Sequence, residues 1–200
     1  MKNFGTAVIL AGGKSSRMGF DKQFLEVNKT KLVDIITRKL ENQFEEIIVV
    51  TNKPEYYKDF PHKIVEDEIK EKGPLSGIHT ALKKASSKYV YFLACDMPNI
   101  NLKFIQYMKD KLNEVGGDGC LSRKGNWIEP FNSFYSKDIV PKIEEHLFND
   151  KRSIHSLVRK LNFYYVEEEI ALRYSPNWDM FMNLNTTHDL ELYLSGKRVN

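Results

Sequence analysis

The chain has 200 residues, 42% of them hydrophobic and 28% charged, with 30 basic against 27 acidic side chains. That length suits one domain with a real core, and a net charge of +3 argues against a nucleic-acid binder, which needs a strongly basic face. Two distant cysteines, Cys95 and Cys120, and five scattered histidines offer neither a disulfide framework nor zinc-ligand spacing. No run approaches the ~18 apolar residues of a membrane span and no signal-peptide pattern opens the chain. A cytoplasmic monomer without membrane contact is the expectation.

Taken in chain order, "TAVIL" at 6–10 is a short continuous apolar run and reads as a buried strand. Over 32–44, Leu32, Ile35, Ile36 and Leu40 share one face of a helix. "EIIVVT" (46–51) is again a β-branched strand, and "KIVED" (63–67) a shorter one. "PLSGIHTALKKA" (74–85) is a helix with proline at its start. "YVYFLA" (89–94) is a strand, and 101–114 a helix with Asn101 as N-cap. The second half is less regular. Strands are expected at 119–123, 130–136 and 163–168, and helices near 138–148, from Ser153, and after "NTTHD", where Thr186 and Asp189 form a capping pair. Strands alternating with helices predict a Rossmann-like three-layer α/β/α fold with a predominantly parallel sheet, one domain over 1–200.

In such a sheet, ligands bind beyond the carboxyl ends of the strands. Four strand ends carry polar, glycine-rich or acidic residues: "AGGKSSRMGFDK", then Thr51 and Asn52, then Asp67, then Cys95 and Asp96. In the first loop, Gly12 and Gly13 let backbone N–H groups approach a ligand closely, and successive N–H groups form an anion nest. Lys14, Arg17 and Lys22 add the charge a polyphosphate needs. Two familiar phosphate loops are excluded. A P-loop needs glycine where Val8 stands, and the dinucleotide fingerprint needs a spacing that Gly12, Gly13 and Gly19 lack. Asp96 follows a strongly apolar strand, where a carboxylate is costly without compensation; Mg²⁺ held by one or two carboxylates and substrate phosphates supplies it. A capping aspartate ahead of Pro98 is the plainer alternative.

"LAGGKSSRMGFDK" (10–22) resembles the signature loop of the nucleotidyltransferases, and "CDMP" (95–98) resembles that group's metal-binding aspartate. With "GPLSG" (73–77) and "NLNTTHDL" (183–190), the chain is similar to the molybdenum cofactor guanylyltransferase family, over nearly its whole length. The resemblance implies a role for each matched residue. Leu10, Ala11, Gly12, Gly13, Lys14, Ser15, Lys22, Asn52 and Asp67 bind the nucleotide, GTP. Asp96 binds it too and holds Mg²⁺. Lys22, Arg17 and Asp96 are catalytic, and Asn183 and Asn185 hold molybdenum-molybdopterin. It divides the chain into a nucleotide half (about 1–115) and a molybdopterin half (about 116–200), and adds transient contacts with other cofactor-biosynthesis proteins and acceptor molybdoenzymes. Ala11-Gly12-Gly13, where cytidylyl-transferring relatives read Ala-Ala-Gly, resembles the guanine-using branch. "MGFDK" is one residue shorter than the loop of some members, and "NWIEPF" (126–131) lacks their His-Pro, a departure on the pterin side. For that side, Arg123, Lys124, Trp127, Arg152 and Arg173 suit a flat anionic substrate by stacking and bidentate contacts. The alternatives are a cytidylyltransferase acting on molybdopterin or on methylerythritol phosphate, to which "DKQFLEV" is similar, and a non-catalytic GTP-binding module.

Overall fold

In the computed structural model, which describes residues 2–12, 26–27, 30–70 and 72–195, the run "TAVIL" forms β1 (Thr6–Leu10), buried at every position. A two-stranded pair, β2 (Glu26–Val27) and β3 (Thr30–Lys31), leads into α1 (Leu32–Leu40). Then come β4 (Glu46–Val50), β5 (Lys63–Val65), α2 (Pro74–Lys84), β6 (Tyr89–Ala94) and α3 (Leu102–Val115). The second half holds β7 (Gly119–Lys124), β8 (Trp127–Ser136), α4 (Val140–Phe148), α5 (Ile154–Val158), β9 (Phe163–Glu167), α6 (Glu168–Leu172) and α7 (Thr187–Ser195). Among the described residues no helix is long and apolar enough to cross a membrane.

One seven-stranded sheet runs in the order β5-β4-β1-β6-β8-β7-β9. Only β8 is antiparallel to its neighbours; the other strands run parallel. Both faces are covered. Ala7 and Ile9 pack with side chains of α1 and α3, whereas Val8 and Leu10 pack with those of α2, α4 and α5. Strands buried on both faces need no polar alternation, which is why their sequences read as unbroken apolar runs.

The local signals hold in most places. Asn101 caps α3, its side chain accepting from Phe104 N–H at 3.0 Å. Asp189 accepts from the N–H groups of Asn185 and Thr186 at 2.8 and 2.7 Å, and Thr186 Oγ1 accepts from Asp189 N–H at 3.0 Å, the reciprocal pair expected before α7. Helix α1 stops at Leu40, short of the expected 44. Phe44 keeps the apolar period because its ring is buried from the following turn, stacked 5.4 Å from Tyr91.

Strand β8 begins at Trp127, before the expected 130. Pro130 suggests a break, since it has no N–H to give a ladder. It sits where the ladder is already interrupted: Cys120 pairs with Phe134, but Ser122 pairs with Glu129, so β8 bulges between them. Within the bulge, Asn132 has φ of 56°, a left-handed conformation that asparagine tolerates better than most residues. Its buried amide joins two layers. Oδ1 accepts from Tyr91 Oη at 2.5 Å, and Nδ2 donates to the Met180 carbonyl at 3.1 Å. Burial raises the Tyr91 hydroxyl's pKa well above the ordinary tyrosine value, so it remains a donor. Asn132→Ala is expected to cost about 2–4 kcal/mol in urea unfolding, because two buried polar groups lose their partner. In that background Tyr91→Phe should cost little more, a coupling that a double-mutant cycle reads directly.

Candidate active site

The chain leaves β1 through α1 toward β4 on one side, and leaves β6 through α3 toward β7 and β8 on the other. The carboxyl ends of β1 and β6 therefore flank the point where the winding reverses, where an open α/β sheet has its crevice. Three backbone hydrogen bonds prolong the pairing past the strand ends. Cys95 N–H donates to Leu10 O at 3.0 Å, Ala11 N–H to Val50 O at 2.8 Å, and Thr51 N–H to Val65 O at 3.0 Å. They align Gly12, Asn52, Asp67 and Asp96 along one rim.

On the β4–β5 side, a Cβ at Gly12 would lie 3.6 Å from Asn52 Nδ2. The Asn52 side chain hydrogen-bonds to the Asp67 carboxylate. Asp67 Oδ1 is buried and without a hydrogen-bond partner among the described residues. Burial raises the carboxyl's pKa, and the bond from Asn52 opposes the shift. Beside it, "GPLSG" starts α2. Gly73 takes φ of 74°, open to glycine, and Pro74 occupies the first turn, where its missing N–H is no loss. Gly77 then faces the rim: a Cβ there would stand 3.0 Å from Leu10 Cδ2, 3.4 Å from Asp67 Oδ1 and 3.5 Å from Val50 Cγ1. A buried acceptor beside a side-chain-free surface suits a ligand that brings N–H or O–H donors. Gly13, Lys14, Ser15, Arg17 and Lys22 lie outside the described residues.

Asp96 sits in the turn after β6, 7% exposed. Leu184 N–H donates to its backbone carbonyl at 2.8 Å. Leu184 is fully buried, and Asn183 and Asn185 on either side of it are exposed. The two asparagines thus flank a buried leucine whose backbone is fastened to Asp96. Among the described residues no cluster of three or more His, Cys, Asp or Glu side chains could hold a metal ion. A hard cation at Asp96 would have fewer than three such side chains among the described residues and would complete its shell from phosphate oxygens and water, as Mg²⁺ does.

Beyond β6, residues 174–184 are fastened by three asparagines. Asn101 Nδ2 donates to Tyr174 O at 2.7 Å, Asn99 Nδ2 to Asp179 O at 3.2 Å, and Asn132 Nδ2 to Met180 O at 3.1 Å. This segment carries Trp178, at φ of 63°, over the bulged end of β8. There Glu129 accepts from both indoles, Trp127 Nε1 at 2.9 Å and Trp178 Nε1 at 3.4 Å. The candidate cations nearby are differently placed. Arg123 pairs with Glu167, and Lys124 with Glu168 at 2.9 Å. Arg152 pairs with Asp150 at 3.1 Å, which also takes Lys72, just before α2. Arg173 is exposed. Glu129 and Trp178 are absent from the sequence-derived candidates; the one signal for Glu129 is an acid between apolar residues and a proline at the start of a strand.

The sequence profile of the MobA-like NTP transferase domain matches residues 7–164. A probable molybdenum cofactor guanylyltransferase of Peptoclostridium acidaminophilum is 51% identical, covering 96% of this chain and 89% of that protein. The molybdenum cofactor guanylyltransferase of Syntrophotalea carbinolica is 53% identical over 94% of this chain and 90% of its own. Among solved structures, molybdopterin-guanine dinucleotide biosynthesis protein A of Archaeoglobus fulgidus superposes with a TM-score of 0.83 at 21% identity, covering 95% of this chain and 97% of that one, a likeness of fold. With residues 7–164 matched by that profile and most of its length by relatives more than half identical, the chain belongs to the MobA-like NTP transferase family.

Proposed function

We propose that the chain transfers GMP from GTP to the terminal phosphate of molybdenum-molybdopterin, releasing pyrophosphate. The observation that carries this reading is the hydrogen bond from Leu184 N–H to the Asp96 carbonyl. It sets the backbone between the two asparagines on the same residue that β6 brings beside Leu10, so the stretches assigned to donor and acceptor meet at Asp96. The names of the two relatives more than half identical agree with it.

An acceptor phosphate oxygen attacks the α-phosphorus of GTP. A new P–O bond forms as the bond to the α–β bridging oxygen breaks, and pyrophosphate leaves with that electron pair. The attacking oxygen is already anionic and needs no base. The obstacle is the approach of two anions, so catalysis is charge neutralisation and alignment. Leu10, Ala11, Gly12, Gly13 and Ser15 are assigned to binding the nucleotide, with the glycines leaving room for close approach of its phosphates. Lys22 neutralises the α-phosphate as it becomes five-coordinate, and Lys14 and Arg17 hold the β- and γ-phosphates and then the leaving group. Asn52 and Asp67 bind the nucleoside, the unpartnered Asp67 Oδ1 accepting from it. Asp96 holds Mg²⁺, which when bound supplies charge neutralisation at the phosphate oxygens. Asn183 and Asn185 receive the pterin. A monomer acting in the cytoplasm, with brief handover contacts to neighbouring biosynthetic proteins and acceptor molybdoenzymes, completes the reading.

Pyrophosphate release with Mg²⁺ and molybdenum-molybdopterin is the direct test, run with GTP and with CTP. Release with GTP alone is expected. Release with CTP alone would transfer the chain to cytidylyl chemistry, and nucleotide binding without release would leave a non-catalytic module. Lys22→Ala and Asp96→Ala should each lower the rate ~10²–10³-fold, as loss of one preorganised charge-stabilising group does; near-wild-type turnover in either refutes its assignment. Asp67→Asn should separate function from stability. In the folded chain the Asp67 carboxyl holds its proton more tightly than in the unfolded chain, so its contribution falls as pH rises through the raised pKa. The variant should bind GTP more weakly yet melt at a higher temperature than the parent at about pH 7, the gap closing toward about pH 4. A melting difference independent of pH would contradict the buried-charge account.

A further inference from the structure

Glu129 stands apart from the other acids of the rim. It is half-buried, yet it has no cationic partner among the described residues, whereas Glu167 and Glu168 pair with Arg123 and Lys124. Both indole N–H groups converge on a single oxygen, Oε1. An ionised carboxylate offers about four lone-pair directions; the indoles take two on Oε1, and Oε2 accepts from no side chain or backbone group described. Burial raises the Glu129 pKa, and the bonds from Trp178 and Trp127 oppose the shift. Orientation is fixed from several sides. The backbone is held by the β8 bulge, where Ser133 Oγ donates to Glu129 O at 3.0 Å. Trp178 is held in its left-handed conformation with its ring 4.5 Å from that of Phe181. Trp127 leaves 58% of its surface exposed beside this carboxylate.

An oriented acceptor next to a largely exposed indole, whose ring lies 5.0 Å from that of His155, fits a flat heteroaromatic ring that has N–H donors along one edge. Two such rings take part in the proposed reaction, the guanine of GTP and the pterin of the acceptor, each with an amino group beside a ring N–H. Strand order separates them. Asn52 and Asp67 follow β4 and β5 on one side of β1, whereas Glu129 is on β8, on the far side of β6 and Asp96. We propose that Glu129, held between Trp127 and Trp178, reads the amino-pyrimidine edge of the acceptor's pterin, with Trp127 as its stacking surface. The proposal rests on the transfer reading above and adds the group that selects the acceptor ring.

The chain contains two tryptophans, and both touch this carboxylate, so intrinsic fluorescence reports on the site without a label. The probes are pterin and lumazine, which has a carbonyl in place of the 2-amino group. Titrated into the full chain, pterin should quench the emission and bind about tenfold or more tighter than lumazine, the scale of one charge-assisted hydrogen bond. Glu129→Gln can still accept from the indoles through its amide oxygen but turns a donor toward the ligand. It should reverse the preference, binding lumazine better than pterin. Saturating GTP should leave the pterin signal in place. Equal binding of the two rings by the wild type, or no quenching by pterin, overturns the proposal without any variant. So does displacement by GTP, which would assign the edge to guanine. The transfer reading fails separately: absence of pyrophosphate release would not alter ring selectivity, and loss of selectivity would not abolish release.

Discussion

Three hydrogen bonds beyond the ends of parallel strands govern the site. Strands that run in one direction finish at one edge, but finishing together does not by itself align the residues beyond that edge. The bonds from Cys95 to Leu10, Ala11 to Val50 and Thr51 to Val65 do that. They carry the register one residue past the ladder, at the place where each chain segment turns away. The placement of Gly12, Asn52, Asp67 and Asp96 therefore starts from backbone geometry, to which the side-chain hydrogen bond between Asn52 and Asp67 is added.

The two sides of the rim then handle charge differently. On the nucleotide side, Asp67 is half-buried against a neutral amide, and one oxygen goes without a partner among the described residues. On the other side, the cations of β7 are paired with the glutamates at the end of β9, and Glu129 is held by neutral indoles. Unpaired buried acceptors cost free energy. At Asp67 the unpartnered oxygen sits where a ligand's donor can replace the missing partner, and stability is given up at a position that binding would restore.

The first half of the molecule is legible in the sequence because its signals are local. Apolar runs, helical stripes, Pro74 and the Asn101 cap each act within a few residues. The convergence of four strand ends comes from the parallel sheet alone. The second half is less legible because its determinants act at a distance. Pro130 reads as a strand breaker until a bulge removes the need for its N–H. Residues 174–184 have no periodicity of their own; Asn99, Asn101 and Asn132 fasten them from three other places in the chain. Glu129 and Trp178 lie 49 residues apart, and nothing in either neighbourhood announces the other. The family motifs bridge part of this gap, since they supply Asn183 and Asn185 where residue chemistry alone allows simple turn formers.

The bond from Leu184 to Asp96 also bears on how the molecule is made. Its two ends are separated by most of the second half of the chain, and β1 cannot be flanked on both sides until β6 exists. Pairings of this kind form late, after the entropy of closing long loops has been met. During synthesis the nucleotide strands emerge early, but the Asp96 carbonyl waits for Leu184. A chain released before Leu184 keeps the phosphate-loop sequence and lacks the seam between Asp96 and the 183–185 stretch.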